Sequence, residues 1–243
     1  MKPLTIVLAE SGIELVPKSI QNHPSVINSA RRRNKDPSHI LLDISLHYRA
    51  MKKLNEWYKR GRPDIVHISL LNAFSSPLNM VKLLRVYVHT YDDRIIYIHP
   101  STRIPRNYNR FVGLMEQLLL VGKVPPESTN PLIFIEKKPL SVFISEKSFD
   151  RILIMHEKGD LIPPNSLGRS IARDMKNDRS VCIIIGAFQH GDFRREFLTL
   201  SREHVSIFPK PLDAWIVVSR VIEGIENTLN IYSKKSLSMS INI

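Results

Sequence analysis

The stretch Val181-Cys182-Ile183-Ile184-Ile185-Gly186-Ala187-Phe188-Gln189-His190-Gly191-Asp192-Phe193 decides the fold. An unbroken apolar run bounded by glycine makes a strand buried on both faces, the form taken by central strands of a parallel sheet. The run ends in Gly186 and Gly191, where backbone can approach a ligand closely and expose its N–H groups. Structural turns use the same residues, so this glycine spacing alone admits either reading. It is not a Walker loop, because no Lys-Ser/Thr follows the second glycine.

On the carboxyl side, Val205-Ser206-Ile207-Phe208-Pro209-Lys210-Pro211-Leu212 supplies a second strand end and a loop. A helix follows with Asp213 as its N-cap, placing Trp215, Val218, Ile222, Ile225 and Leu229 along one stripe. On the amino side, a strand over 151–156 leads through Pro163-Pro164 to a helical pattern over 166–176. Ligands of open α/β sheets sit at the carboxyl ends of such strands.

The pattern extends through the chain. Strands are expected at 4–9, 64–71, 85–90, 94–98, 151–156, 181–186 and 204–208, with helical patterns between them, which predicts an α/β fold with a largely parallel sheet. The strands 85–90 and 94–98 flank Tyr91-Asp92-Asp93 as an inserted hairpin. Residues 44–58 read as a basic amphipathic helix carrying Arg49, Lys52 and Lys53. Residues 122–149 hold four prolines and no sustained period, and read as a linker-like excursion. One domain is expected over 1–232, followed by a loose polar tail over 233–243.

The composition narrows the function. With 243 residues and 43% hydrophobic content the chain can bury one sizeable core. Lys and Arg number 35 against 23 Asp and Glu, a formal charge of +12, which favours a polyanionic partner, nucleic acid first. No apolar run approaches the roughly 18 residues of a spanning helix, and Leu4–Ala9 is too short for a signal-peptide core and is stopped by Glu10, so no membrane association is expected. Cys182 is the only cysteine, so no intrachain disulfide can form. The histidines show no paired ligand spacing, and no metal site is expected. A dinucleotide-binding oxidoreductase fits poorly, because no Gly-x-Gly-x-x-Gly follows an early strand.

Two arginine groups stand out. Arg60-Gly61-Arg62-Pro63-Asp64 closes the basic helix and opens the expected strand 64–71. The planar guanidinium fork suits phosphate and base-edge recognition. The alternative is a solvated turn with an Arg–Asp ion pair. In Thr102-Arg103-Ile104-Pro105-Arg106-Asn107-Tyr108-Asn109-Arg110-Phe111, Pro105 suits the first turn of a helix reaching about Leu120. Arg106 and Arg110 then share a face, Arg103 can point the same way, and no acidic partner follows at i+4. The three make a phosphate and base platform, with a solvated helix face as the alternative.

Taken together and in order, RGRPDIVHISLLN, VYVHTYDDRIIYI, TRIPRNYNRFVGLMEQLL, IIIGAFQHG and VSIFPKPLDAW resemble the Nep/Emg family of ribosome-biogenesis pseudouridine methyltransferases of the SPOUT class. The resemblance spans nearly the whole chain. It implies a SPOUT-type open sheet with a trefoil knot in its carboxyl half, a homodimer, and a bent S-adenosylmethionine held by the knot loops. It places the cofactor at Met155, Gly186, Gly191 and the segment Ile207, Phe208, Pro209, Lys210, Pro211 and Leu212. It places RNA at Arg62, Arg103, Arg106 and Arg110, with Asp64 holding Arg62, and makes Arg62 and Asp64 the catalytic candidates. The implied substrate is a pseudouridine of small-subunit rRNA, methylated at ring nitrogen 1 in the cytoplasm, with small-subunit ribosomal proteins as further partners. Ala187, where archaeal relatives often carry glycine, and the stiff Pro209 and Pro211 depart from the family pattern. The reading from a different class is a non-catalytic assembly factor that holds rRNA on the same basic face. The dimer is expected to use the last helix and its Trp215 stripe.

Overall fold

The structure, a computed structural model, describes residues 1–233. In chain order the elements are β1 (Leu4–Ser11), α1 (Pro24–Arg32), α2 (Ile44–Met51), α3 (Pro63–Phe74), α4 (Pro77–Met80), β2 (Leu84–Thr90), β3 (Arg94–Ile98), α5 (Tyr108–Val121), β4 (Lys123–Val124), β5 (Ile133–Lys137), α6 (Leu140–Lys147), β6 (Arg151–Leu161), α7 (Pro164–Lys176), β7 (Val181–Gly186), α8 (Arg195–Leu198), β8 (Glu203–Ser206) and α9 (Ala214–Leu229). The expected tail over 233–243 lies, but for Ser233, outside the described residues.

The strands form one sheet in the order β4-β5-β3-β2-β1-β7-β6-β8. The half from β2 to β8 is parallel, and β3, β5 and β4 extend it with antiparallel pairs. Alternating side chains of β1 feed both faces: Leu4, Ile6 and Leu8 enter the larger core, while Val7 and Ala9 enter a second core with Leu140, Phe143 and Phe197. Helices thus cover both sides, as a parallel sheet requires.

Several sequence expectations are corrected. The segment 64–71 is not a strand but part of α3. Its β-branched residues suggested extended backbone, yet Pro63 at the first helical position and Asp64 in the first turn start a helix well. Ile65, Val66, His67, Ser69, Leu70 and Ala73 are all buried, so the helix lacks the polar face that gives a readable period. The helix expected over 44–58 stops at Met51 and gives way to turns. The stretch 122–149 is not a linker: it contains β4, β5 and α6, and β5 pairs with β3 from Arg94–Lys137 to Ile98–Ile133. Helix α5 begins at Tyr108 rather than Pro105, because the Asn107 side chain accepts the Arg110 amide at 3.1 Å and caps it there.

The last helix forms where expected, and three residues of its stripe are spent internally. Val218, Ile222 and Ile225 are buried in the larger core, so they offer no outer surface. Helices α7 and α9 cross backbone to backbone at Gly168 and Gly224, where a Cβ on Gly168 would stand 2.3 Å from the Gly224 carbonyl carbon. That crossing holds α9 against α7, and Ala214 and Val217 at the start of α9 stand beside the ends of β6, β7 and β8.

Candidate active site

At those strand ends lies a cavity of about 420 Å³. Met155 of β6 pairs with Ile185 of β7 and Val205 of β8, which sets the three strands level at its floor. Beyond Met155 the ladder breaks: residues 156–159 leave it, and Asp160 returns to pair with the same Val205. This excursion supplies His156 and Glu157 as one wall. The loop after β7 supplies a second wall and the loop after β8 a third.

Of the cofactor residues expected from the sequence, Met155, Gly186, Gly191, Ile207, Phe208, Lys210, Pro211 and Leu212 line this cavity, while Pro209 shapes the same loop without facing it. Gly191 has a φ of +97°, and a Cβ there would stand 2.8 Å from the Tyr58 ring. Gly186 is hemmed in by Phe188, 2.9 Å from where its Cβ would lie. Sequence reasoning missed His156 and Asp192, each the neighbour of a named residue. His156 Nε2 meets Asp192 Oδ1 at 2.9 Å and ties the β6 excursion to the glycine loop. Burial pushes the Asp192 carboxyl up, but His156 and the Phe193 amide outweigh it and hold the group below the usual carboxylate range. Cys182 is fully buried in β7 and burial pushes its thiol up, so it is no nucleophile at neutral pH.

Arg62 stands at the N-cap position of α3, not at a strand edge, and Asp64 lies in the first turn. Arg62 donates through Nε and Nη2 to the two Asp64 oxygens at 2.8 and 2.7 Å. This contact, first, and the carboxylates of Asp43 and Asp213 raise the guanidinium above its ordinary value despite partial burial. Asp213 is the residue before α9, directly after the cavity loop, so Arg62 is near the cavity's rim. Arg60, two residues earlier in the same motif, turns away from the rim, forks onto Glu14 at 2.7 and 2.5 Å and lies over the Tyr91 ring.

Arg103, Arg106 and Arg110 are all exposed, and among the described residues no carboxylate lies within ion-pair distance of them. Arg106 precedes α5, as Arg103 does, so Arg106 and Arg110 do not share a helical face as expected. The segment that carries them is held by other contacts. His67 of α3 donates its Nε2–H to the Pro105 carbonyl at 2.7 Å and stacks on Phe111. Tyr108 donates to Asp43 at 2.6 Å, beside Arg62. The arginine segment is thereby fastened to the helix that Arg62 and Asp64 begin.

A sequence profile of the EMG1/NEP1 methyltransferase family matches residues 6–226. The chain is 50% identical to the ribosomal RNA small subunit methyltransferase Nep1 of Staphylothermus marinus, over 95% of this chain and 98% of that protein. It is 48% identical to the protein of the same name from Thermococcus kodakarensis, over 94% and 100%. Among solved structures, Archaeoglobus fulgidus Nep1 bound to S-adenosylhomocysteine matches with a TM-score of 0.81 and 39% identity, covering 95% of this chain and all of that one. With the profile covering most of its length, the chain belongs to the EMG1/NEP1 methyltransferase family.

Proposed function

We propose that the chain transfers a methyl group from S-adenosylmethionine to small-subunit rRNA, with ring nitrogen 1 of a pseudouridine as the acceptor. The observation that carries this reading is the convergence of three features: the cavity at the ends of β6, β7 and β8, the Arg62–Asp64 pair near its rim, and the exposed arginines fastened to α3. The relatives' names supply the rRNA, and the A. fulgidus structure holds S-adenosylhomocysteine.

The cavity fits such a cofactor. Its volume falls within the roughly 300–1,000 Å³ of small-molecule sites. Ile185, Val205, Ile207 and Val217 give it an apolar floor suited to a flat base, and Glu157 and Asp192 suit a positively charged ligand. When bound, S-adenosylmethionine supplies an electrophilic methyl group on a sulfonium. Met155, Gly186, Gly191 and the segment 207–212 are the residues that would hold it.

The remaining chemistry belongs to the chain. Pseudouridine is joined to ribose through carbon, so its N1 carries a proton; as that proton passes to solvent, N1 can take the methyl whose bond to the sulfonium breaks, which would leave S-adenosylhomocysteine. Arg62 stabilises the negative charge that deprotonation places on the imide, and Asp64 orients Arg62. Arg103, Arg106 and Arg110 grip phosphates and flanking bases and align the acceptor with the cavity.

The same reading takes residues 1–232 as one domain built on this sheet, the loops over the cavity as a trefoil knot, and the chain as a cytoplasmic homodimer that meets small-subunit ribosomal proteins on its substrate. For the dimer, the support is the exposed apolar side chains at the cavity's edge and the start of α9, Phe208, Leu212 and Ile216, rather than Val218, Ile222 and Ile225 of the stripe, which are buried. Calorimetric titration with S-adenosylmethionine tests the reading. Saturable binding at one site per chain is expected, and absence of binding would favour an assembly factor without catalysis.

A further inference from the structure

Beneath the glycine loop lies a cluster of acidic and basic side chains that the site does not use directly. Glu10, at the end of β1, is fully buried and has a φ of 52°. Its Oε1 accepts from Lys59 Nζ at 3.2 Å and lies 3.3 Å from Arg194 Nε, and its Oε2 accepts the Arg194 backbone amide at 2.9 Å. Lys59 is buried as well, and its ammonium stands 5.1 Å from the centre of the Phe188 ring. A Cβ on Gly191 would touch the same lysine stem at 3.3 Å. Arg194 reaches on to Asp93 at 2.8 Å and to the Tyr91 carbonyl.

The glycine loop therefore rests on Lys59 near its start and on Glu10 at its end. Lys59 also directly precedes Arg60-Gly61-Arg62, and Gly12, two residues beyond Glu10, packs against that segment so closely that a Cβ would stand 2.7 Å from the Gly61 nitrogen. The Arg62 segment is thus held by backbone packing on Gly12, while Glu10 and Lys59 hold the cavity loop. A buried ion pair gains a fold little that apolar packing would not give, because desolvation offsets the attraction. Its value here lies in direction: a carboxylate that accepts one particular backbone amide fixes where that amide sits.

We propose that Glu10 is a positioning residue which, with Lys59, holds loop 187–194 in the shape that admits the cofactor, and so sets cofactor affinity rather than the rate of methyl transfer. The proposal rests on the reading of the cavity as the S-adenosylmethionine site. Glu10→Gln keeps the shape and removes the charge that binds Lys59. Titration of the folded variant with S-adenosylhomocysteine should show affinity about tenfold below the parent's, the scale of losing a charge-assisted hydrogen bond. KM for S-adenosylmethionine should rise in proportion, with kcat at saturating cofactor and the affinity for rRNA within about twofold of the parent. Should Glu10→Gln fail to fold, Lys59→Met carries the same test, because it keeps the packed stem and leaves Glu10 its two Arg194 donors. Parent-like affinity in a folded variant, or a fall in kcat without a change in affinity, overturns the proposal. If the parent itself binds no S-adenosylhomocysteine, the reading of the cavity fails first and takes this proposal with it.

Discussion

Arg62 and Asp64 meet in a two-point contact of 2.8 and 2.7 Å across the first turn of α3, with the carboxylate the more exposed partner. The contact uses Nε and Nη2 and leaves Nη1 available to a substrate. Arg62→Ala should lower the single-turnover methylation rate by about a hundredfold with RNA saturating, the scale of removing one donor to a developing oxyanion. Asp64→Asn should give a milder loss, independent of pH, if the carboxylate only orients the arginine. If Asp64 accepts the N1 proton, its loss should abolish the rate at neutral pH and the rate should recover as pH rises. A pH series on both variants separates these roles, and parent-like turnover in Arg62→Ala excludes both.

Arg103, Arg106 and Arg110 should behave otherwise, since each is exposed and, among the described residues, without an acidic partner. Replacing any one with Ala should weaken rRNA binding and reduce the slope of log affinity against log salt by about one unit for each phosphate no longer neutralised. Filter binding over a salt series measures this. An unchanged slope in all three would place the RNA elsewhere.

Gly186→Val should force Phe188 toward the cavity, because even a Cβ at this position comes within 2.9 Å of that ring. Overpacking of this kind costs about 1–3 kcal/mol of stability, which the fold should survive, and the displaced ring should appear as weaker cofactor binding in calorimetry. Unaltered affinity would mean that the ligand does not use this end of β7.

His89 offers a prediction on stability. Its Nδ1 accepts the Glu10 amide, and its Nε2 donates to Asp93. Burial pushes its pKa down to about 4, against 6.5 in an unfolded chain. Above pH 6.5 the ring is neutral in both states and folding bears no penalty. As pH falls from 6.5 toward 4 the unfolded chain takes up a proton that the folded one refuses, so stability is lost across that window. At pH 5 the loss from this residue should approach about 2 kcal/mol. Urea unfolding at pH 7 and pH 5 should show a smaller difference for His89→Gln than for the parent, and equal differences would exclude this role.

In light scattering, the particle mass should be twice the 28.0 kDa of one chain. Ile216→Glu, at the exposed start of α9, should shift it toward one chain. A monomer mass for the parent at micromolar concentration would remove the dimer.

What was legible in the sequence follows from how each segment is buried. Strands β1 and β7 and the first half of β6 read directly because central parallel strands are apolar on both faces, and α9 read because one side of it meets the core. Helix α3 misled for the complementary reason: enclosed nearly all round, it kept only its β-branched composition. In 122–149, Pro125, Pro126, Pro131 and Pro139 interrupt any period, and an edge strand as short as Lys123–Val124 leaves little pattern. The cavity's glycines could be named because they end a strand. The Glu10 group could not, since its partners stand 49 and 184 residues away in the chain. Glu116 was hidden in the same manner: in α5 it binds Arg33 and Lys35, more than 80 residues earlier.

Methyl transfer to a pseudouridine of small-subunit rRNA at this cavity can be measured with S-adenosylmethionine and matched rRNA fragments that carry pseudouridine or uridine at one position, followed by mass analysis of the digested nucleosides. One added methyl is expected on the pseudouridine nucleoside, located at N1, with none on the uridine fragment and a much reduced yield with Arg62→Ala. Equal methylation of both fragments would contradict the acceptor, and no methylation of either by a chain that binds both cofactor and RNA would contradict the catalysis itself.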